Sequence, residues 1–383
     1  LKPSPPSDMA TVPAEITVSD PPQKKVLIIG GGFAGLEACR YFKGSKFAYA
    51  LMEKKEFHEF TPDVPETITT TSLTSKISKP FSKCRVVGRC VFVKDIVRFD
   101  AVQKKVYYVK PEGGGEEFEE FDYCVLCTGA SYTSPIQSPS ITTTTQRREF
   151  FDGFKQKLVN ASLPILVIGG GHVGCEVAAD IAIKCPETQV IFATGNSGLL
   201  ANHSRKQIDY ATKFFSKLPN VTLYNERCKE EGSGESNLRV FSLLKSNVKV
   251  ETTVVIQCTG FGKPNTEFLI NSEVRLNAKG KIEVDEETLA VKVGDNDLYS
   301  ECIFAAGDCV EKPGNHMMAM FAHFEGEFCA RQILRKEKKL ALRKFGIPPE
   351  NCFALSLGPH DGFISLMGPV GLVQLSALVA QVS

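Results

Sequence analysis

Two glycine clusters, about 140 residues apart, limit the folds open to this chain more than any other feature of its sequence. Each cluster follows a short apolar run, at residues 26–29 and 164–168, and each precedes a stretch of good helix formers. An apolar strand, a G-x-G-x-x-G turn and a helix begin the βαβ unit that binds a dinucleotide. One such motif is a weak indication, but two in one chain predict two nucleotide sites with electrons passing between the nucleotides.

The first cluster ends a predicted buried strand, and its residues are Gly30, Gly31, Gly32, Phe33, Ala34 and Gly35. Gly30 makes the tight turn, Gly32 lets the backbone approach a pyrophosphate, and Gly35 lets the helix pack close to the strand. The pyrophosphate then lies at a helix N-terminus, where free N–H groups favour anions. A second strand, residues 47–52, ends at Glu53, which lies 18 residues past Gly35 and is placed to bind a ribose.

The second cluster repeats this pattern, and its three glycines are Gly169, Gly171 and Gly174. The strand that follows its helix, residues 188–193, ends in Thr-Gly-Asn rather than in an acid. An acid at that point would bind the ribose 2′-hydroxyl of NAD, so its absence leaves both NAD and NADP open.

The composition is that of a globular protein of two or three domains, with 383 residues, 43% of them hydrophobic. The net charge is +1, so nothing global favours nucleic acid or an anionic lipid surface as a partner. No run of ~18 apolar residues is present, so no helix is predicted to span a membrane. The last 13 residues are apolar enough for a partial membrane-surface helix, which leaves peripheral membrane contact open.

The 13 cysteines are an odd number without a signal peptide, which favours a reducing compartment, the cytoplasm, over a disulfide framework. A catalytic disulfide is also disfavoured, because residues 40–83, which follow the first predicted helix, contain no cysteine. The Cys-x-x-Cys pair of Cys124 and Cys127 lies on a predicted strand, where residues three apart face opposite sides. The scattered Cys and His residues have no zinc spacing, so no metal site is predicted.

Three further segments end in glycine motifs: residues 121–130 and 254–260 run into Thr-Gly, and residues 298–309 close on Gly-Asp. This set, in this order, resembles the FAD-dependent pyridine-nucleotide oxidoreductases from residue 24 to about residue 370. Within that superfamily the chain is most similar to the apoptosis-inducing-factor branch, and there to the small NAD(P)H:quinone oxidoreductases of the ferroptosis-suppressor group. The type II NADH dehydrogenases are near relatives.

The resemblance implies an α/β fold with two Rossmann-like dinucleotide-binding domains, one for FAD and one for NAD(P)H, and a C-terminal α+β region. Residues 140–148, rich in Thr and then basic, are predicted to link the two domains. The expected parts are a disordered leader at 1–23, the FAD domain at 24–150 and 262–315, the NAD(P)H domain at 151–261, and the C-terminal region at 316–383.

The resemblance also implies roles for individual residues. The first cluster would hold the FAD pyrophosphate, Glu53 its ribose and the backbone of Ile96 its adenine, and Asp308 would contact the ribityl or pyrophosphate part. The second cluster would hold the nicotinamide nucleotide. The other positions that the resemblance assigns to cofactor binding are Lys54, Thr128, Gly129 and Gly260.

Glu176 matches a family glutamate near the nicotinamide and flavin rings, and it is the predicted catalytic residue. From one turn into its helix, the carboxylate would orient the carboxamide or handle protons at the ring face. The alternative is an acid that only complements the helix dipole at a helix start.

The implied electron acceptor is a quinone, but the chain departs from the family pattern in two places. Residues 61–65 lack the arginine that the family often places over the flavin, and residues 372–383 lack its C-terminal basic and aromatic residues. Two alternatives therefore stay open: a redox-sensing signalling flavoprotein with weak turnover, similar to the apoptosis-inducing factors, and a type II NADH dehydrogenase.

Overall fold

The fold is described from a computed structural model of the chain. The structure describes residues 23–132, 135–137, 140–233, 237–260, 262–294, 298–311, 318–346 and 353–365, and the backbone of residues 372–374. The predicted leader, except for its last residue, and the segment 375–383 lie outside the described residues.

The helices and strands alternate through both halves of the chain. The helices are α1 (Phe33–Phe42), α2 (Val64–Thr67), α3 (Thr74–Ile77), α4 (Thr144–Val159), α5 (His172–Lys184), α6 (Arg205–Phe215) and α7 (Ala319–Glu337). The strands are β1 (Lys25–Ile29), β2 (Ala48–Glu53), β3 (Phe57–Glu59), β4 (Ser78–Pro80), β5 (Arg89–Phe92), β6 (Asp95–Asp100), β7 (Lys105–Val109), β8 (Glu117–Glu120), β9 (Tyr123–Leu126), β10 (Ile165–Ile168), β11 (Val190–Ala193), β12 (Val221–Tyr224), β13 (Cys228–Ser233), β14 (Arg239–Leu243), β15 (Lys249–Thr252), β16 (Val255–Gln257), β17 (Ile282–Glu283), β18 (Ala290–Val293), β19 (Leu298–Ala305), β20 (Val310–Glu311), β21 (Phe353–Ser356), β22 (Gly362–Ser365) and β23 (Leu372–Gln374).

The first large sheet has β1 at its centre. In the described part of the chain its order is β18-β19-β9-β1-β2-β5, with β18 antiparallel at one edge. β1 pairs in parallel with β2 and β9, so Ile28 lies opposite Leu51 and Val125, and all three are fully buried. Strands buried on both faces need continuous apolar runs, which is why residues 26–29 do not alternate.

The second large sheet repeats this arrangement around β10. Its described strands follow the order β12-β11-β10-β16, and every pair is parallel. Val167 of β10 lies opposite Phe192 and Ile256. A small antiparallel sheet, β13-β14-β15, packs Phe241 and other apolar side chains on one side of it. The predicted α/β class with two Rossmann-like sheets is confirmed.

Residues 57–81 precede the second sheet in the chain by many residues but pack against its core. Val64 of α2 and Ile77 of α3 are buried in the same apolar cluster as Val167 and Phe192. The segment between β2 and β5 therefore joins the two sheets through apolar contact.

The prediction of a linker over residues 140–148 is wrong for its second half, because α4 begins at Thr144. Thr143 and Gln146 form a capping box, in which each side chain accepts the backbone N–H of the other. Arg147, in the first turn, is only 2% exposed, and its Nε lies 2.6 Å from Oε1 of the equally buried Glu59 on β3. One of the two basic residues of the predicted linker, Arg147, therefore belongs to a buried ion pair.

The C-terminal region begins with α7, which packs on α1. A Cβ added at Gly326 of α7 would lie 2.0 Å from the carbonyl oxygen of Ala34, so a glycine allows the two backbones to touch. The antiparallel sheet β21-β22-β23 lies against α5, where a Cβ at Gly358 would meet Ile183 at 2.3 Å. None of the helices in the described ranges combines the length and apolar character that a bilayer crossing requires.

Candidate active site

The first glycine cluster is a tight turn between β1 and α1. Gly30 has φ +102°, and a Cβ there would lie 2.3 Å from the carbonyl oxygen of Cys127 on the neighbouring strand. A Cβ at Gly35 would lie 1.8 Å from the carbonyl oxygen of Gly30, whereas one at Gly32 would meet open space. Two glycines are thus required by packing, and the third leaves the backbone accessible to a ligand, as its position in the motif predicts.

The second cluster has the same geometry between β10 and α5. Gly169 has φ +112° and would place a Cβ 2.4 Å from the carbonyl oxygen of Cys258. A Cβ at Gly174 would lie 1.8 Å from the Gly169 carbonyl oxygen, and Gly171 again faces open space. The two turns are therefore equivalent in backbone terms.

The helices that follow the two turns begin without a side-chain cap. The N-cap residues are Gly32 for α1 and Gly171 for α5, and no side chain bonds to either first turn. In contrast, α4 carries the Thr143–Gln146 capping box. The first N–H groups of α1 and α5 are therefore left for an anion such as a pyrophosphate.

Glu53, the predicted ribose acid, lies at the end of β2 beside the first turn. One carboxylate oxygen accepts the N–H of Gly31, and the other accepts those of Lys54 at 2.7 Å and Lys55 at 3.1 Å. The Lys54 side chain points to Asp95 of β6, with Nζ 2.6 Å from Oδ1, next to the half-buried Ile96. The structure thus brings Glu53, Lys54 and Ile96 to one end of the first sheet.

The Thr-Gly pair after β9 forms the opposite wall of the first turn. Gly129 has φ +65°, and Asn265 ties this corner together by donating from Nδ2 to the Thr128 carbonyl at 2.9 Å. The hydroxyl oxygen of Thr128 is buried and has no hydrogen-bond partner among the described residues. A buried hydroxyl without a partner is costly, so a polar group of a ligand is the natural partner here.

Asp308 follows β19 and lies on the same side of the first sheet. Its Oδ2 accepts the Tyr132 hydroxyl at 3.0 Å, and the contact, together with burial, raises the pKa of Tyr132. The preceding Gly307 N–H donates to Oε2 of Glu325 on α7 at 2.7 Å, and this carboxylate is 1% exposed. Asp308 is thus fixed from both sides.

Glu176 lies one turn into α5, at the second turn. Its Oε1 accepts the N–H of Ser356 on β21 at 3.3 Å. Burial raises the pKa of Glu176 to about 8, with Asp180 and Asp63 adding repulsion and the Ser356 bond opposing the shift. The carboxyl group is therefore neutral at neutral pH, and it can both donate and accept hydrogen bonds.

Two histidines, not predicted from the sequence, lie beside Glu176. His172 opens α5, and its Nε2 lies 2.9 Å from Nε2 of His203. Phe353 of β21 packs on both rings, at 4.6 Å and 4.7 Å between centroids. Burial and the second ring lower the pKa of His172 to about 4, so the pair is neutral and one ring donates to the other.

The cysteines that bear on a redox pair, Cys39, Cys124 and Cys127, are free thiols. Cys124 and Cys127 are buried in the first sheet, and burial raises the pKa of each thiol well above its ordinary value. Burial also raises the pKa of Cys39, on α1, to about 12. These thiols lack the thiolate character that a redox pair needs.

Among the described residues, Glu37, His323 and Glu327 come nearest to a metal-ligand set, between α1 and α7. Arg40 donates to both carboxylate oxygens of Glu37, and Arg331 pairs with Glu327 at 2.5 Å. Both carboxylates are thus already paired with guanidinium groups in a surface ion-pair network.

The fold and site define the class: a flavin- and pyridine-nucleotide-dependent protein with one glycine turn for each nucleotide. A family model described as pyridine nucleotide-disulphide oxidoreductase matches residues 24–326, and the chain belongs to this family. It is an FAD-dependent NAD(P)H oxidoreductase. The first turn fits FAD, because the Thr128 hydroxyl lacks a partner among the described residues, Gly32 faces open space and α1 has no side-chain cap. The second turn fits NAD(P)H, because Gly171 faces open space and α5 has no side-chain cap.

Known relatives extend over most of the chain. Apoptosis-inducing factor homolog B of Dictyostelium discoideum is 25% identical over 369 residues, covering 90% of both proteins. Ferroptosis suppressor protein 1 of Homo sapiens is 25% identical over 351 residues, covering 90% of this chain and 88% of that protein. The structure of NDH2 from Plasmodium falciparum with NADH has the same fold, with a TM-score of 0.73, 15% identity and 94% coverage of both chains. The resemblance to the apoptosis-inducing-factor branch is confirmed.

Proposed function

We propose that the protein oxidises NAD(P)H and passes the electrons through FAD to a quinone, with Glu176 as the catalytic residue. The observation that carries the proposal is the position of Glu176 one turn into the nucleotide helix α5, where it accepts the Ser356 N–H and where burial raises its pKa to about 8. The thiols support a direct route to a small acceptor, because Cys39, Cys124 and Cys127 stay protonated and cannot relay electrons as a disulfide pair.

The role proposed for Glu176 follows from the protons that quinone reduction takes up. FAD held at the first glycine turn would supply the two-electron chemistry that links NAD(P)H to the acceptor. Reduction of a quinone to a quinol takes up two protons, one of which comes with the hydride. In the proposal, the protonated carboxyl of Glu176 would donate a hydrogen bond to the nicotinamide carboxamide and orient it, and it would supply or replace the other proton.

The first experiment is anaerobic titration of the purified protein with NADH while the visible spectrum is recorded. A flavin band near ~450 nm should bleach with NADH and return when a quinone is added. Bleaching without return on quinone addition would exclude the quinone as acceptor. A protein that binds no FAD even after reconstitution would contradict the proposal entirely.

A second candidate is a signalling flavoprotein with weak turnover, and the C-terminal strand β21 favours it. Ser356 donates to Glu176, and Phe353 covers His172, so β21 lies over the face of α5 where the nicotinamide would bind. If β21 blocks the acceptor, quinone turnover stays slow although NADH reduces the flavin quickly. A type II NADH dehydrogenase would show fast turnover that rises further on addition of vesicles.

The assignments of single residues and domains belong to this proposal. The free thiols of the described residues support a reducing compartment such as the cytoplasm. The two large sheets support an FAD domain at 24–150 and 262–315 and an NAD(P)H domain at 151–261.

A further inference from the structure

The end of α7 and the chain beyond it form a compact basic protrusion, residues 335–345, which we name the basic segment. Six of its eleven residues are Lys or Arg and one, Glu337, is acidic, whereas the whole chain has a net charge of only +1. Its positive charge is therefore a local feature that the overall balance conceals.

Acidic side chains nearby pair with only two of the six cations of the basic segment. Glu337 turns into the protein, where it pairs with Lys24 at 2.7 Å and accepts the Tyr123 hydroxyl. Lys336 pairs with Glu301 and Lys344 with Glu287. The Arg335 Nε donates to the carbonyl of Ala341. In the described part of the chain, the remaining cations, Lys338, Lys339 and Arg343, are exposed and have no side-chain hydrogen bond or ion pair.

The basic segment also exposes large apolar side chains. Leu340 is 49% exposed and Leu342 is 37% exposed, with Ala341 between them. Both leucines lie in the same short stretch as the exposed cations. Nothing in the core requires leucines there, and each costs free energy in water.

The basic segment is fixed to the rest of the protein by hydrogen bonds and a ring contact. The fully buried Gln332 of α7 donates to the Arg343 carbonyl at 2.9 Å and accepts the Arg343 N–H at 3.0 Å. Phe345 N–H donates to the Glu287 carbonyl, and its ring packs on Phe328 at 5.0 Å. The leucines therefore lie on a segment that is ordered by its contacts with α7 and Glu287.

A groove of ≈ 490 Å³ is lined by α7 and by residues 343–346 at the end of the basic segment. Its lining combines aromatic rings with charged groups: Phe324, Phe328, Phe345, Arg331, Arg343, Lys344 and the acid Glu327. Apolar tips beside aromatic rings and free cations match the headgroup region of a bilayer, where phosphates meet acyl chains.

From this arrangement we propose that the basic segment docks the protein on an anionic phospholipid membrane. Lys338, Lys339 and Arg343 contact lipid phosphates and carboxylates, and Leu340 and Leu342 enter the acyl boundary. A nucleic acid would satisfy the cations but leave the leucines in water, so the bilayer fits better. The proposal does not depend on the electron acceptor.

The test is co-sedimentation of the FAD-bound full chain with vesicles of phosphatidylcholine alone or with a third phosphatidylserine. We expect binding to the anionic vesicles to exceed binding to the neutral ones by roughly tenfold or more at ~0.1 M salt, and to weaken at ~0.5 M. Lys338→Glu with Lys339→Glu should lower the partition coefficient roughly tenfold or more. Leu340→Ser with Leu342→Ser should lower it severalfold and leave its salt dependence unchanged.

The matched control is Lys249→Glu with Lys279→Glu, the same charge change at two exposed lysines elsewhere, and it should bind like the parent. Flavin absorbance and the thermal midpoint verify that each variant is folded. Equal binding to both vesicles, or a control as defective as the Lys338 and Lys339 variant, would overturn the proposal. So would binding to duplex DNA but not to vesicles, with no effect of the leucine changes.

Discussion

Glu176 has the surroundings of a proton donor, since burial on α5 outweighs the single hydrogen bond from Ser356. The pKa of about 8 lies above that of a free glutamate, so the active, neutral form is present below this pH and is lost as the pH rises through it. We expect the rate of flavin reduction by NADH to fall as pH increases past about 8. Glu176→Gln, which is always neutral, should remove this fall, and Glu176→Ala should slow reduction roughly tenfold.

Stopped-flow reduction measured across pH tests this expectation. Glu267→Gln changes an exposed carboxylate in the same way and serves as the control. A fall of the same size above pH 8 in Glu176→Gln would assign the titration to another group.

Replacing Thr128 should stabilise the protein without FAD but weaken its affinity for FAD. Thr128→Val keeps the shape and removes the hydroxyl, which lacks a partner in the described structure. The FAD-free protein should gain stability, because a buried hydroxyl without a partner is removed. The affinity for FAD should drop about fivefold, which corresponds to the loss of a hydrogen bond worth about 1 kcal/mol. Differential scanning fluorimetry without FAD and flavin titration measure the two effects. Weakened stability in both states would mean that the hydroxyl already has a partner without FAD.

The residues that sequence reasoning found are those whose role depends on local spacing. The glycines and Glu53 stand at fixed offsets from a strand end, so a single stretch of sequence predicts their place, whereas Glu176 was assigned from the family resemblance. Asn265 contacts Thr128 across 137 positions, and His203 contacts His172 across 31. No periodicity or motif reports such pairs, because the fold alone brings them together.

The two glycine turns are equivalent in backbone geometry but serve different nucleotides in the proposal. Gly35→Ala should abolish FAD binding and leave a colourless protein, because its Cβ would lie 1.8 Å from the Gly30 carbonyl oxygen. Gly174→Ala should instead leave a yellow protein that dithionite bleaches and NADH does not. Visible spectra during the two reductions test this pair. The reverse pattern would exchange the two nucleotide assignments.

The elements that the sequence predicted well are the buried parallel strands and the helices after the glycine turns, because continuous apolar runs and glycine spacing have few other solutions. The start of α4 was missed. Its Thr-rich beginning was read as a linker, although Thr143 with Gln146 is the signature of a capping box. The burial of Arg147 was not predicted either, because its partner Glu59 lies 88 residues away in the sequence.

The ion pair of Arg147 and Glu59 joins the two halves of the molecule. Arg147→Met alone should destabilise the protein by about 3–5 kcal/mol, because Glu59 would be buried without a countercharge. The double variant Arg147→Met with Glu59→Leu should recover most of this loss. Denaturant unfolding of the FAD-bound protein measures both. A double variant as unstable as the single one would show that the guanidinium contacts to the Pro135 and Ile136 carbonyls matter more than the charge pair.

The burial of the thiols affects how the protein resists oxidation during turnover. Reduced flavoproteins release hydrogen peroxide when oxygen intercepts their electrons, and peroxide attacks thiolates far faster than thiols. Burial raises the pKa of Cys39, Cys124, Cys127, Cys175 and Cys258, which lie in and around the two sheets that surround the cofactor sites. These five thiols are therefore protected from hydrogen peroxide while the protein is folded. A rise in their reactivity would report the first unfolding of the core.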